Sequence, residues 1–296
     1  MTNLAIGVDT GGTFTDLVML DRAAGTFSVN KLPTTPDDPA RGILDGIAAL
    51  LDEMGQPADT IELFVHGTTL ATNAVLQRRH AKTGMLTTMG FRDTLEIGRQ
   101  RRPAFYNLDV SKPEPPVTRD CIHEVPGRLS EIGMEVTPLD KDGIRTAVSK
   151  LRDSGVEAIA ICFMHAYANP AHEEAARAIV REIWPEVFVC TSTDVLREFR
   201  EFERFSSASV NASLLPVIDR YLERFSAGLL ALGVRPAPLV MQSNGGSVSV
   251  ATVRAAPINT FLSGPAGGVI AAANLAIQSG HPNLIAFDMG GTSTDV

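Results

Sequence analysis

The chain has 296 residues, a net charge of −8 and 44% hydrophobic content, which suggests about two ordinary globular domains. Its acidic balance and the lack of a dense Lys/Arg run exclude a nucleic-acid footprint. The start, Met1-Thr2-Asn3, has no basic n-region, and the longest apolar run, residues 269–277, is broken by Asn274 and too short to span a membrane.

The apolar run Leu4-Ala5-Ile6-Gly7-Val8 enters Asp9-Thr10-Gly11-Gly12-Thr13-Phe14-Thr15-Asp16 and returns through Leu17-Val18-Met19-Leu20. This predicts a hairpin around a Gly-rich turn, with a third strand at residues 26–32. Asp38-Pro39 predicts a capped helix entry. Ile43, Ile47, Leu50, Leu51 and Met54 mark its buried face, and Gly55 and Pro57 end it. Residues 61–65 predict a strand that delivers His66-Gly67-Thr68-Thr69-Leu70-Ala71-Thr72-Asn73 to its carboxyl edge, followed by a helix to residue 79 and a strand at 82–87.

Residues 90–136 read as an irregular insertion over the site, containing Gly98-Arg99-Gln100-Arg101-Arg102-Pro103 and a proline-rich turn at 113–116. A helix over 140–154 and a strand over 156–163 follow, the strand bringing His165 to the same edge as His66. A helix then starts at Asn169-Pro170, with a strand at 187–190 and a long helical pattern at 202–232 broken or kinked at Pro216. Arg200, Glu201, Glu203 and Arg204 are expected to form an ion-pair network. Residues 238–242 predict a strand running into Ser243-Asn244-Gly245-Gly246, and a helix is expected through 271–277, after Ser263-Gly264-Pro265-Ala266-Gly267-Gly268. Cys121, Cys162 and Cys190 have no ligand spacing and read as buried free thiols of a reducing cytosol.

The last apolar run, Leu284-Ile285-Ala286-Phe287, enters Asp288-Met289-Gly290-Gly291-Thr292-Ser293-Thr294-Asp295. Six of its eight positions repeat the first octapeptide. Each copy reads as a buried strand entering a turn of free N–H groups, which is an anion cradle. Two facing cradles would grip a nucleotide phosphate chain from both sides. The second lacks its return strand, so the sequence reads as the N-terminal part of a longer protein that is inactive in this length.

These octapeptides, with His66–Asn73, Gly98–Pro103, Phe199-Arg200-Glu201-Phe202-Glu203-Arg204 and Ser263–Gly268, resemble the hydantoinase A / 5-oxoprolinase family. The resemblance implies an α/β, actin-like ATPase (ribonuclease-H-like) fold, with an N-terminal domain at 1–195 and the start of the hydantoinase A domain at 196–296. It also implies a cytoplasmic, ATP- and Mg2+-dependent hydrolase that opens a cyclic amide such as hydantoin or 5-oxoproline by phosphorylating the carbonyl oxygen. The implied partner is a B-type subunit or domain, in a homo- or hetero-oligomer with no nucleic acid and no membrane. Two alternatives stay open: an ATP-using subunit of an acetone-type carboxylase, and an actin-like ATPase switch or activator.

On that reading Thr10, Gly11, Gly12, Thr13, Thr15, Gly264, Gly267, Gly290, Gly291 and Thr292 hold the nucleotide. Asp9 and Asp288 organise Mg2+, and either orients the attacking group; Asp16 and Asp295 brace their turns through backbone N–H groups. His66 is either an acid–base residue or a hydrogen-bonded structural one. Thr68, Thr69 and Asn73 either touch substrate or cap a helix. Arg99, Arg101 and Arg102 either neutralise a carboxylate or phosphate or belong to a solvated loop.

Overall fold

In the computed structural model, which describes residues 3–35, 37–101, 104, 106, 107, 109, 110, 112–289 and 294–296, the chain forms two units. Residues 1–79 and 218–296 make one, and residues 80–217 the other.

The first unit begins with β1 (Leu4–Thr10), which buries Leu4, Ile6, Val8 and Thr10 and leaves Gly7 and Asp9 on the opposite face. That period of two locks its register. Strands β2 (Phe14–Asp21) and β3 (Thr26–Pro33) pair antiparallel beside it, placing Asp9 opposite Asp16 and Asp16 opposite Lys31. Helix α1 (Pro39–Met54) starts on a proline that fits the first turn and stops at left-handed Gly55, as the sequence suggests. Its entry is held by Thr35, whose Oγ1 donates to the Asp38 carbonyl and accepts from Gly42 N–H; Asp38 makes no side-chain cap. Ile43, Ile47 and Leu50 are fully buried. At Gly46 an added Cβ would come within 2.8 Å of Leu32 and 2.9 Å of Leu17, so glycine lets the helix lie directly on β2 and β3.

Strand β4 (Ile61–Thr68) lies parallel to β1 and is followed by α2 (Leu70–Leu76). The strand runs three residues beyond the expected one, because pairing with β1 continues through Asp9↔Gly67 and Thr10↔Thr68. His66 is therefore a strand residue on the buried face.

The second unit is built on β5 (Thr83–Thr88), followed by α3 (Thr94–Ile97), β6 (Ile122–Val125) and the hairpin β7 (Arg128–Leu129) and β8 (Glu135–Thr137). Next come α4 (Lys141–Asp153), capped by Asp140 accepting from Gly143 N–H, then β9 (Ala158–Cys162), α5 (Ala171–Ile183), β10 (Phe188–Thr191) and the short α6 (Ser192–Val195). Helix α7 (Glu201–Leu232) carries Pro216 inside it, next to where the chain passes back into the first unit. The sheet order is β10-β9-β5-β6, all parallel. Every residue of β5 and β9 is buried, as expected of parallel strands covered on both faces.

Back in the first unit, β11 (Leu239–Met241) pairs parallel with β4, and β12 (Ser247–Ser249) forms a hairpin with it. Helices α8 (Val250–Ala255) and α9 (Ser263–Ser279) follow, and then the two-residue strands β13 (Asp288–Met289) and β14 (Thr294–Asp295). The first sheet thus runs β12-β11-β4-β1-β2-β3.

The two compact units are drawn by contacts, not by position along the chain: β11 returns to β4, so residues 80–217 lie between two parts of one unit. Several expectations change. Residues 90–136 are not wholly irregular, since β6 is an edge strand of the second sheet. His165 and His66 follow or occupy strands of different sheets, not one edge. Helix α9 begins eight residues earlier than the expected 271, inside the Ser263–Gly268 motif. The apolar run at 284–287 is not a strand: Ile285 and Phe287 are exposed, and only Asp288 and Met289 pair, with Asp295 and Thr294. The return from the second octapeptide therefore begins within this chain. Among the described residues no helix is long and apolar enough to cross a membrane.

Candidate functional site

The turn between β1 and β2 is pinned from below. Thr34 N–H donates to the Thr13 carbonyl at 2.9 Å, its hydroxyl donates to the Gly11 carbonyl at 3.0 Å, and Gly11 N–H donates to the Phe14 carbonyl at 2.9 Å. Thr15 is fully buried and bonds Thr34, so it braces the turn from inside. Gly12 and Thr13 lie exposed at the tip, and among the described residues their N–H groups donate to nothing. Buried Thr10 Oγ1 likewise has no partner among them. A pinned turn with free donors is suited to an anion.

The start of α9 is stitched to the same rim. Ser263 Oγ donates to the Thr68 carbonyl at 3.1 Å, and Leu262 N–H donates to Thr72 Oγ1 at 3.3 Å. Leu262 itself is left-handed, with φ of 54°, an uncommon conformation for a branched side chain. These bonds bring Gly264 beside Asp9: a Cβ there would lie 3.8 Å from Asp9 Oδ1 and 3.8 Å from the Thr69 methyl. Gly67 approaches the same carboxylate more closely, at 3.0 Å from its would-be Cβ. Gly267 packs farther along, against Met241.

Asp9 sits in the middle of this arrangement. Its side chain is reached by solvent, yet protein encloses it at longer range, and that enclosure raises its pKa above 3.8. The charges of Asp16 and Asp288 raise it further, while Lys31 lowers it. Asp16 is already matched: Lys31 Nζ lies 2.8 and 2.9 Å from its two carboxylate oxygens. This differs from the expected bonding of Asp16 to backbone N–H groups. Lys31 was not singled out from the sequence, although counting the hairpin register places it directly opposite Asp16. Like charges facing each other are destabilising unless something of opposite charge intervenes. Among the described residues no cation pairs with Asp9.

This donor set fits a nucleotide and a hydrated divalent ion. No group of three His, Cys, Asp or Glu side chains poised for a metal occurs among the described residues. Mg2+ needs only one or two carboxylates, because it keeps much of its water. Asp9, with Asp288 near enough to perturb it, meets that need. Gly290, Gly291 and Thr292, expected to form the second cradle, lie outside the described residues, as do Arg102 and the side chain of Asp295.

The expected substrate residues are mostly engaged already. His66 is fully buried, with Nε2 2.6 Å from the Tyr221 hydroxyl and its ring packed against Phe225. Burial lowers its pKa to about 4, the Val8 backbone acting the other way, so it is neutral at physiological pH. This is the hydrogen-bonded structural alternative, and it leaves His66 no open face for acid–base work. Thr69 Oγ1 donates to the Thr10 carbonyl and accepts from Asn73 Nδ2, both at 3.0 Å. Buried Thr68 accepts from Leu70 N–H at 3.2 Å. The three hold the β4–α2 turn against β1.

In the second unit Arg99 Nε donates to Glu203 at 2.7 Å, so its charge is matched. Glu203 is the one member of the expected Arg200–Arg204 network seen with an arginine among the described residues. Arg204 is instead fully buried and donates to the Phe163 carbonyl at 2.9 Å. Buried Glu173, which the sequence reading passed over, accepts from Phe163 N–H at 2.9 Å and from Ser192 and Thr193. Its place beside the apolar face of Ala176, Ile179 and Val180 was the available signal. Cys121, Cys162 and Cys190 are buried free thiols.

The chain is 38% identical to caprolactamase subunit alpha of Pseudomonas jessenii over 297 residues, covering 98% of this chain and 42% of that one. The solved ATP-dependent caprolactamase of the same organism superposes with a TM-score of 0.88 at 36% identity, over 98% of this chain and 43% of that one. Nucleotide-free acetone carboxylase superposes with a TM-score of 0.87 at 29% identity, over 99% and 43%. The chain therefore spans less than half the length of these relatives. The fold is α/β of the actin-like ATPase type. The hydantoinase/oxoprolinase N-terminal region matches residues 5–184 and the hydantoinase/oxoprolinase region matches residues 204–296, and on that evidence the chain belongs to the hydantoinase/oxoprolinase family.

Proposed function

We propose that the full-length protein is the ATP-using component of a cyclic amidohydrolase, acting on a lactam or related ring with a B-type partner subunit. The observation that carries this is the setting of Asp9: an uncompensated carboxylate between the free donors of the Gly12–Thr13 turn and the start of α9. ATP with Mg2+, when bound, supplies the phosphoryl group that activates an otherwise unreactive amide carbonyl oxygen.

Gly12 and Thr13 N–H groups and the Thr10 hydroxyl donate to phosphate oxygens, and Gly264 lets the α9 N-terminus approach them. Gly11 and Thr15 hold the turn in shape. Asp9 and Asp288 hold the hydrated cation, with Asp9 also placed to orient an attacking group. Gly267, Gly290, Gly291 and Thr292 complete the nucleotide site, and Arg102 with Thr68, Thr69 and Asn73 borders the substrate. His66 is withdrawn from the acid–base role because of its burial against Tyr221. Three buried free cysteines support a reducing cytoplasm as the place of action.

The likeness to acetone carboxylase at 29% identity supports a second reading, an ATP-using subunit of a ketone carboxylase. An actin-like switch has no feature of its own in its favour. The readings separate by phosphate release from the full-length protein, with and without its partner, in the presence of caprolactam, hydantoin, 5-oxoproline or acetone. Stimulation by a cyclic amide is expected. Stimulation by acetone alone supports the carboxylase, and stimulation by none of the four returns the protein to the switch class.

A further inference from the structure

Three charged residues stand in one row across the open face of β1, β2 and β3. Asp9 pairs in register with Asp16, and Asp16 with Lys31. Lys31 is the single cationic residue in these three strands. It joins the row to the turn. Nζ lies 2.8 and 2.9 Å from the two Asp16 oxygens. It also lies 5.1 Å from the centre of the ring of Phe14, the residue directly after Gly12 and Thr13. Its charge is felt at Asp9 as well.

The hairpin stands without this ion pair. Backbone pairing of β2 with β3 runs unbroken from Phe14↔Pro33 to Asp21↔Thr26, and Thr34 pins the turn by itself. The pair is open to solvent, its side chains 59% and 49% exposed, and an exposed ion pair adds little stability. Opening it therefore costs little. A phosphate chain seated at the Gly12–Thr13 turn has the opposite problem. It meets Asp9 and Asp16 at close range, and like charges there repel. The donors that the turn offers it, backbone N–H groups and the Thr10 hydroxyl, are neutral. An ammonium on a flexible four-carbon stem carries three donors that swing to a new acceptor, and it serves phosphate as a point charge.

We propose that Lys31 is a phosphate ligand of the nucleotide site: its ammonium turns from Asp16 toward a phosphate oxygen held at the Gly12–Thr13 turn. The inference deepens the ATP-using reading and rests on it. Asp16 is then the resting partner that keeps the lysine beside the turn while the site is empty of nucleotide.

The test is calorimetric titration of the full-length protein with its partner subunit, using MgATP and adenosine. Lys31→Met keeps the apolar stem and removes the charge. It should weaken MgATP at least about tenfold, the scale of a lost hydrogen bond to a charged group, and leave adenosine unchanged. Asp16→Asn removes the ion pair but keeps the ammonium, so MgATP should bind at least as tightly as to wild type. Lys31→Met with Asp16→Asn separates direct contact from mere uncovering of the Asp16 charge. Uncovering alone predicts that the added Asp16→Asn restores binding; direct contact predicts a double variant about tenfold weaker than Asp16→Asn. Thermal unfolding controls for folding, with all three variants expected near wild type. Unchanged MgATP affinity in Lys31→Met, restored affinity in the double variant, or an equal loss for adenosine overturns the proposal and leaves the ATP-using reading standing. No MgATP binding by wild type overturns that reading and the proposal with it.

Discussion

Asp9 in the first unit and Glu173 in the second both carry carboxyl groups held above their ordinary pKa, and protein enclosure is the largest cause in each. Their surroundings then act in opposite directions. Around Glu173, Ser192, Phe163 and Thr193 donate hydrogen bonds and Arg204 adds a positive charge, all favouring the ionised form. Around Asp9, the next causes are two more carboxylates, Asp16 and Asp288, with Lys31 the counterweight among the described residues and already spent on Asp16. One acid is satisfied by its own chain. The other keeps a charge that no described residue matches, the condition expected where a cation or phosphate is to be handled.

That contrast breaks most visibly at Glu173. Glu173→Ala would strand the Phe163 and Thr193 N–H groups and leave the fully buried Arg204 without its counter-charge. Removing one partner of a buried charged arrangement costs about 3–5 kcal/mol, so denaturant unfolding should show a loss of that order. A loss below about 1 kcal/mol would mean that the network is not the compensated one described.

His66 gives the next effect. Its pKa is about 4 in the folded chain against an ordinary 6.5, so its contribution to stability is present above pH 6.5 and lost as pH falls toward 4. The shift corresponds to roughly 3 kcal/mol. The acid limb of the stability curve should flatten between those values in His66→Gln, and an unchanged limb would contradict the neutral, buried assignment.

Asp9→Asn should have the smallest effect on folding and the opposite sign. A raised carboxyl pKa favours the folded state below 3.8 and disfavours it as pH rises through the folded value. The variant should therefore melt slightly higher than wild type at pH 7, with the gain vanishing below pH 3.8. A lower melting temperature at pH 7 would show that Asp9 has a structural partner.

Local chemistry made the first hairpin and α1 readable, because burial alternates along residues 4–10 and Pro39 and Gly55 bracket the helix. What the sequence hid was set by pairing between distant segments. His66 looked like a loop residue because the apolar run stops at Val65, yet pairing with β1 carries the strand to Thr68. The return of β11 to β4, which joins residues 218–296 to the first sheet, leaves no local trace. Residues 284–287 erred the other way, with a strand's composition and no strand beside them among the described residues. The turn that carries Asp9, Gly11, Gly12 and Thr13 was legible from the first octapeptide. The unpartnered Thr10 hydroxyl and the approach of Gly264 to Asp9 depend on three-dimensional packing.

On the proposed function, Asp9 is the unmatched charge that seats the cation. Electron paramagnetic resonance of Mn2+ added with ATP to the full-length protein, in wild type and Asp9→Asn, decides this role. A protein-bound Mn2+·ATP signal is expected in wild type and lost in Asp9→Asn, together with ATP turnover reduced at least about 100-fold. An unchanged signal and unchanged turnover in Asp9→Asn would contradict it.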